Sequence, residues 1–103
     1  MNIMKVLKAL SNDTRMQILQ WLKEPEQHFP QLCTTDNTTL KEHGVCVGKI
    51  QQKTGLSQST TSQYLALLQD AGLIKAQRIG QWTYYQRDEA AIKEALDYLH
   101  HYL

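Results

Sequence analysis

Two kinds of residue in this 103-residue chain could do chemistry. The first is a donor set, His28, Cys33, His43 and Cys46, at separations of x4, x9 and x2. Two thiolates and two imidazoles are ligands that zinc takes tetrahedrally. The spacing matches no familiar knuckle, so zinc is one reading among three. A reversible disulfide between Cys33 and Cys46 is the second, and two unremarkable thiols the third. The second kind is the uncharged run Gln58-Ser59-Thr60-Thr61-Ser62-Gln63. Six side chains in a row both donate and accept hydrogen bonds, which is what reading base edges and phosphates in a DNA groove requires.

Other combinations are poorer. No Ser/His/Asp order, phosphate loop or catalytic metal motif is present, so the chain reads as a binding protein rather than an enzyme. Asp97 and His101 stand four apart with His100 beside them. Adjacent histidines on a helix diverge by about 100° and cannot share a ligand face. Trp21, Trp82, Tyr84 and Tyr85 are expected in the core.

The polar run must be held by something, and its neighbours supply it. From Val47 to Ala71 the sequence reads helix, tight turn, helix. Gly55 stands where the turn needs positive φ, and Ser57 where an N-cap hydroxyl accepts a free amide of the next helix. Ser and Thr are poor helix formers, so a helix opening on six polar residues is odd for a core element. At 100° per residue Thr61, Leu65 and Leu68 share the core side, and Ser59, Ser62, Gln63 and Ala66 the other. The alternative is a solvated amphipathic helix in a protein-interaction module that does not bind DNA.

The rest of the chain fits around this pair. Ile3, Val6, Leu7 and Leu10 have helical spacing, and a second helix runs from about Asp13 to Lys23 until Pro25 ends it. Residues 24–44 read as an irregular loop insertion. Val45-Cys46-Val47 suggests a short strand, and Gly72 a left-handed helix end. Leu73 to Ile79 and Trp82 to Gln86 are strand-like around a Gly80-Gln81 turn. Asp88 caps a last helix to Leu103 with an apolar stripe at Ile92, Ala95, Leu96, Leu99 and Tyr102/Leu103. Helices over 1–23, the insertion, a helix-turn-helix over 47–71, a wing over 73–87 and a helix over 88–103 make one domain. The fold class is mainly α with a small β-hairpin, a winged helix-turn-helix.

Net charge is only +1, but its distribution is uneven. From Val45 to Arg87, Lys49, Lys53, Lys75, Arg78 and Arg87 stand against Asp70, a net +4. Residues 24–44 carry −3, as does the segment after Arg87. A basic middle beside acidic flanks suits a nucleic-acid face. There is no apolar run of membrane-spanning length and no signal-peptide core, so the expected compartment is the cytoplasm, with no membrane partner.

Four phrases identify the chain with a family: Ala9-Leu10-Ser11-Asn12-Asp13-Thr14-Arg15-Met16-Gln17-Ile18-Leu19, Gly55 through Leu65, Gln69-Asp70-Ala71-Gly72-Leu73-Ile74, and Arg78-Ile79-Gly80-Gln81-Trp82-Thr83-Tyr84-Tyr85. In this order they resemble the ArsR/SmtB family of small bacterial winged-helix repressors, everywhere but the insertion 24–44. The resemblance implies a homodimer on a pseudo-palindromic double-stranded operator, released by a metal or redox signal. DNA contact is then expected from the polar helix 58–71 and the wing already read from the residues, through Ser57, Gln58, Ser59, Thr60, Ser62, Gln63, Lys53, Arg78 and Gln81. The resemblance also implies dimerisation through the first and last helices, which fits the apolar stripes found there by spacing and assigns the interface to Ile3, Val6, Leu7, Ile92, Leu96 and Leu99. Tyr64 stands where many members have histidine. The family's metal sites are incomplete: a Cys-Val-Cys run is here Cys46-Val47-Gly48, and the zinc positions of the last helix are Glu89, Ala91 and Tyr102. No resident cofactor is expected.

Overall fold

The computed structural model describes residues 1–29 and 44–103. Two short helices open the chain. In α1 (Ile3–Leu10) the side chain of Asn2 accepts the amides of Met4 and Lys5. In α2 (Asp13–Lys23) the cap is Asn12, whose Oδ1 accepts from the Arg15 amide at 3.0 Å. Each cap satisfies amides that a helix start leaves unpaired.

Pro25 does more than stop α2. It is the first residue of a one-turn helix, α3 (Pro25–His28), a position where its fixed φ and missing amide cost nothing. The stretch expected to be irregular from residue 24 therefore opens with an ordered turn. Phe29 follows, 1% exposed and edge-on to Trp21 with ring centroids 6.4 Å apart. Cys33 and His43 lie outside the described residues.

After Gly44 come β1 (Val45–Cys46), α4 (Val47–Thr54), α5 (Gln58–Asp70), β2 (Ile74–Ile79), β3 (Trp82–Arg87) and α6 (Glu89–Tyr102). Val47, expected at the end of a strand, starts α4 instead. The three strands form one antiparallel sheet in the order β1-β3-β2. The wing is closed by Gly80-Gln81, which leaves Ile79 opposite Trp82. Val45 pairs with Tyr85 and Cys46 with Tyr84. This pairing needs a glycine at position 44, where φ is +92° and a Cβ would stand 2.0 Å from the Tyr85 carbonyl oxygen. Burial pushes the Tyr85 phenol above its ordinary pKa.

The core gathers Val6, Ile18, Val45, Ile50, Leu65, Leu68 and Leu73, all at or below 1% exposure. Fully burying such side chains is worth roughly 1.5–3 kcal/mol each. Every helix except α3 contributes at least one buried residue, Ala95 standing for α6. Trp82, expected in this core, is 56% exposed on the wing, while Trp21 and Tyr85 pack against the core from its edge.

Candidate nucleic-acid interface

The helix-turn-helix is assembled by one hydroxyl and two glycines. Thr54, at the end of α4, donates from Oγ1 to the Gln51 carbonyl at 2.8 Å and accepts the Leu56 amide at 3.2 Å. The same Oγ1 lies 3.4 Å from that of Thr61, which is fully buried in α5. The hydroxyl thereby ties α4, the turn and α5 together. Gly55 takes φ +73° as expected. At the other end of α5 the Gly72 amide bonds the Gln69 carbonyl and the Leu73 amide the Leu68 carbonyl, the Schellman closure that a positive-φ glycine allows.

Between these ends α5 divides as its sequence predicts. Thr61, Leu65 and Leu68 are buried, and Ser59, Ser62, Gln63 and Ala66 are exposed. Of the polar residues assigned to DNA, Ser57 and Thr60 are partly occupied with capping. Ser57 Oγ accepts the Thr60 amide at 3.1 Å and donates to Thr60 Oγ1 at 3.0 Å. Gln58, Ser59, Ser62 and Gln63 are exposed along the first turns. This end of a helix also carries the partial positive charge that favours phosphate.

The cations are distributed unevenly. Arg78 and Gln81 are exposed at the wing tip, Arg78 donating through Nε to the Gly80 carbonyl at 3.3 Å. The ammonium of Lys53 lies over the ring of Trp21, 5.1 Å from its centroid. Arg87, counted above with the basic middle, belongs elsewhere. Its guanidinium is bidentate to Glu89 and donates to the Leu19 carbonyl at 3.2 Å. It is a tie between β3, α2 and α6, 11% exposed in its side chain. The positive groups on or beside the helix-turn-helix and the wing are then Lys49, Lys53, Lys75 and Arg78. Asp70 at the end of α5 pairs with Lys5 at 3.2 Å.

The donor set at the insertion is only partly within the described residues. His28 closes α3 and Cys46 precedes α4, both half-buried. Cys46 is a free thiol. It lines a shallow cavity of about 390 Å³ with Lys49, Gln52, Trp82 and Tyr84. Among the described residues no three His, Cys, Asp or Glu side chains come together to hold a metal. Glu89 is engaged by Arg87 and Asp97 by Lys93 at 2.8 Å.

The two terminal helices present apolar surface. Leu7 is 40% and Leu96 61% exposed, with Met4 at 57% and Tyr102 at 66% beside them. Ile3, Ile92 and Leu99 are half-buried. Val6 corrects the assignment made from spacing: at 1% exposure it belongs to the protomer's own core and offers nothing to a partner. Spacing alone finds the stripe but not which of its edges faces inward. Met4, three residues before Leu7, was legible as its continuation.

Sequence reasoning missed Arg15. It was only one letter of a family phrase, yet its side chain reaches the carbonyls of Ala9 (2.8 Å) and Lys8 (3.1 Å) and lies 5.0 Å from the Tyr64 ring centroid. Tyr64 thus faces an arginine of α2. No local sequence signal announces such a contact.

Comparison with known proteins places this architecture. The family model for bacterial regulatory proteins of the arsR family matches residues 39–76. The chain is 54% identical over 99 residues to the uncharacterised HTH-type transcriptional regulator YbzH of Bacillus subtilis, covering 96% of each. It is 34% identical over 96 residues to the putative arsenical resistance operon repressor ArsR2 of Halobacterium salinarum, covering 91% of this chain and 67% of that protein. The homodimeric winged helix-turn-helix DNA-binding domain of Mb0332 from Mycobacterium bovis superposes with a TM-score of 0.62 at 28% identity, covering 94% of this chain and 75% of that one. With its helix-turn-helix, its wing and these relatives, the chain belongs to the arsR family of bacterial regulatory proteins and is a DNA-binding transcriptional regulator of the winged-helix type.

Proposed function

We propose that this regulator is a homodimeric repressor acting in the cytoplasm, and that residues 1–103 work as one winged-helix domain on a pseudo-palindromic operator. The observation that carries the reading is the division of α5: its apolar side is buried and its hydrogen-bonding side is open to solvent. Gln58, Ser59, Ser62 and Gln63 read base edges in the major groove, entering by the N-terminal end as recognition helices do. Ser57 and Thr60 hold that end in shape. Lys53, Arg78 and Gln81 meet the phosphate backbone, which positions without specifying.

Dimerisation is supported by the apolar surface of α1 and α6. Met4, Leu7, Leu96 and Tyr102 present apolar side chains to solvent on these two helices, the surface a partner copy would cover. The M. bovis domain is a homodimer. The repressor reading is supported by the H. salinarum relative, which is named a putative arsenical resistance operon repressor.

The test is selection of a duplex from a random library, followed by anisotropy titration and a reporter under the selected site. A two-fold-related site bound as a dimer, with reporter output rising when the gene is deleted, is expected. A monomeric complex, or reporter output that falls on deletion, would overturn the dimer or the repressor reading respectively.

A further inference from the structure

Arg15 joins two elements that the proposed function requires to be held at a fixed angle. Its backbone amide is committed to the Asn12 cap at the start of α2. From there its side chain donates through Nε to the Ala9 carbonyl at 2.8 Å and through Nη2 to the Lys8 carbonyl at 3.1 Å. These are carbonyls of the last turn of α1. That of Lys8 also accepts the Ser11 amide at 3.3 Å and the Ser11 hydroxyl at 2.9 Å, so the Ala9 carbonyl is the one for which Arg15 supplies what a helix end lacks. The same guanidinium sits over the ring of Tyr64, 5.0 Å from its centroid, halfway along α5. One half-buried side chain therefore touches the end of the dimer helix and the middle of the reading helix.

We infer that Arg15 is a positioning residue for DNA recognition: by clamping the α1 carbonyls on one side and the Tyr64 ring on the other, it sets the angle of α5 against the dimer axis. The inference rests on the dimeric reading above. In a two-fold dimer any change in that angle occurs twice, so it alters the distance between the two reading helices. That distance selects the half-site spacing of the operator. Arginine suits the task because its planar fork bonds two carbonyls while its face stacks on a ring, which lysine cannot do. The Lys5–Asp70 pair is a second link between the same helices. Both partners there are more than half exposed, and such a pair contributes little.

The test uses the full chain and the operator selected above, rebuilt as a series with half-sites moved apart or together by one or two base pairs. Wild type, Arg15→Gln, Arg15→Lys, Tyr64→Leu and Tyr64→Phe are checked for dimer mass and melting temperature, then titrated on the series and on a scrambled duplex. Wild type is expected to prefer one spacing. Arg15→Gln and Tyr64→Leu should lose about tenfold on that spacing, within the range for residues coupling two sites. They should also flatten the spacing profile and keep their affinity for scrambled DNA. Tyr64→Phe, which retains the ring, should behave as wild type, and Arg15→Lys should fall between. Should Arg15→Gln fail to fold, Tyr64→Leu and Arg15→Lys carry the test. An unchanged spacing profile in folded variants would overturn the inference, as would parallel losses on both DNAs. A wild-type protein with no spacing preference would instead refute the dimeric reading, before any variant is made.

Discussion

Replacing Thr54 with valine removes one oxygen and almost no volume, and its effect can be worked out from three contacts. The hydroxyl donates to the Gln51 carbonyl (2.8 Å), accepts the Leu56 amide (3.2 Å) and lies 3.4 Å from the Thr61 hydroxyl. The Gln51 carbonyl keeps the Gly55 amide at 3.0 Å, so it is not orphaned. The Leu56 amide and the buried Thr61 hydroxyl each lose an acceptor. A typical net hydrogen bond is worth about 1 kcal/mol, and a buried group left unsatisfied costs about 1–3 kcal/mol. Thr54→Val should therefore destabilise by about 2–3 kcal/mol. Adding Thr61→Val removes one orphan, since pairs replaced on both sides come near to neutral. The double variant should recover about 1 kcal/mol of that loss. Urea unfolding by circular dichroism, at one fixed protein concentration because association adds to stability, measures both quantities. A single-variant cost below about 0.5 kcal/mol, or a double variant as unstable as the sum of the singles, would refute the assignment of Thr54 as the hydroxyl that holds the turn.

Other expectations follow from the same geometry. Gly44→Ala puts a methyl 2.0 Å from the Tyr85 carbonyl oxygen at φ +92°, whereas Gly55→Ala at φ +73° meets nothing within 4 Å. The second should cost about 1–2 kcal/mol from backbone strain alone and the first clearly more, as thermal melts of the two variants will show. Leu7→Glu and Leu96→Glu should each shift the chain towards monomer in analytical ultracentrifugation with little loss of helix signal, because both side chains already face solvent in the protomer. Arg78→Ala should weaken operator and scrambled DNA alike and reduce the salt slope by about 1. Arg87→Met should lower stability without that salt effect, since its guanidinium is held by Glu89 and Leu19.

Much of the helix-turn-helix was legible because its signals are local. Gly55, Ser57 and Gly72 each do a job that only a few residue types can do, and each does it where the sequence suggested. The two-sided character of α5 likewise follows from helical period and residue type. What escaped depends on neighbours distant in sequence. Val6 and Leu7 are adjacent and both apolar, and only the packing of α1 on α5 and α6 decides that Val6 turns inward. Arg87 adds to a charge count like any arginine until Glu89 and the α2 carbonyl of Leu19 claim it. Trp82 is a strand former by type, and the wing extends it beyond the body. Arg15 acts through carbonyls and a ring that no spacing rule links to it. Pro25 was read as a stop because proline disfavours helix before it; the same ring also starts helices, and here it does both.

On the proposed function, the open polar face of α5 reads sequence. The most direct measurement is anisotropy titration of wild type and Gln63→Ala on the selected operator and a scrambled duplex over a range of salt. Wild type should bind the operator more tightly, with log K falling steeply against log salt. Gln63→Ala should lose about 1–3 kcal/mol on the operator and nothing on scrambled DNA. Equal affinity of wild type for both duplexes, or a variant indistinguishable from it on the operator, would contradict that function.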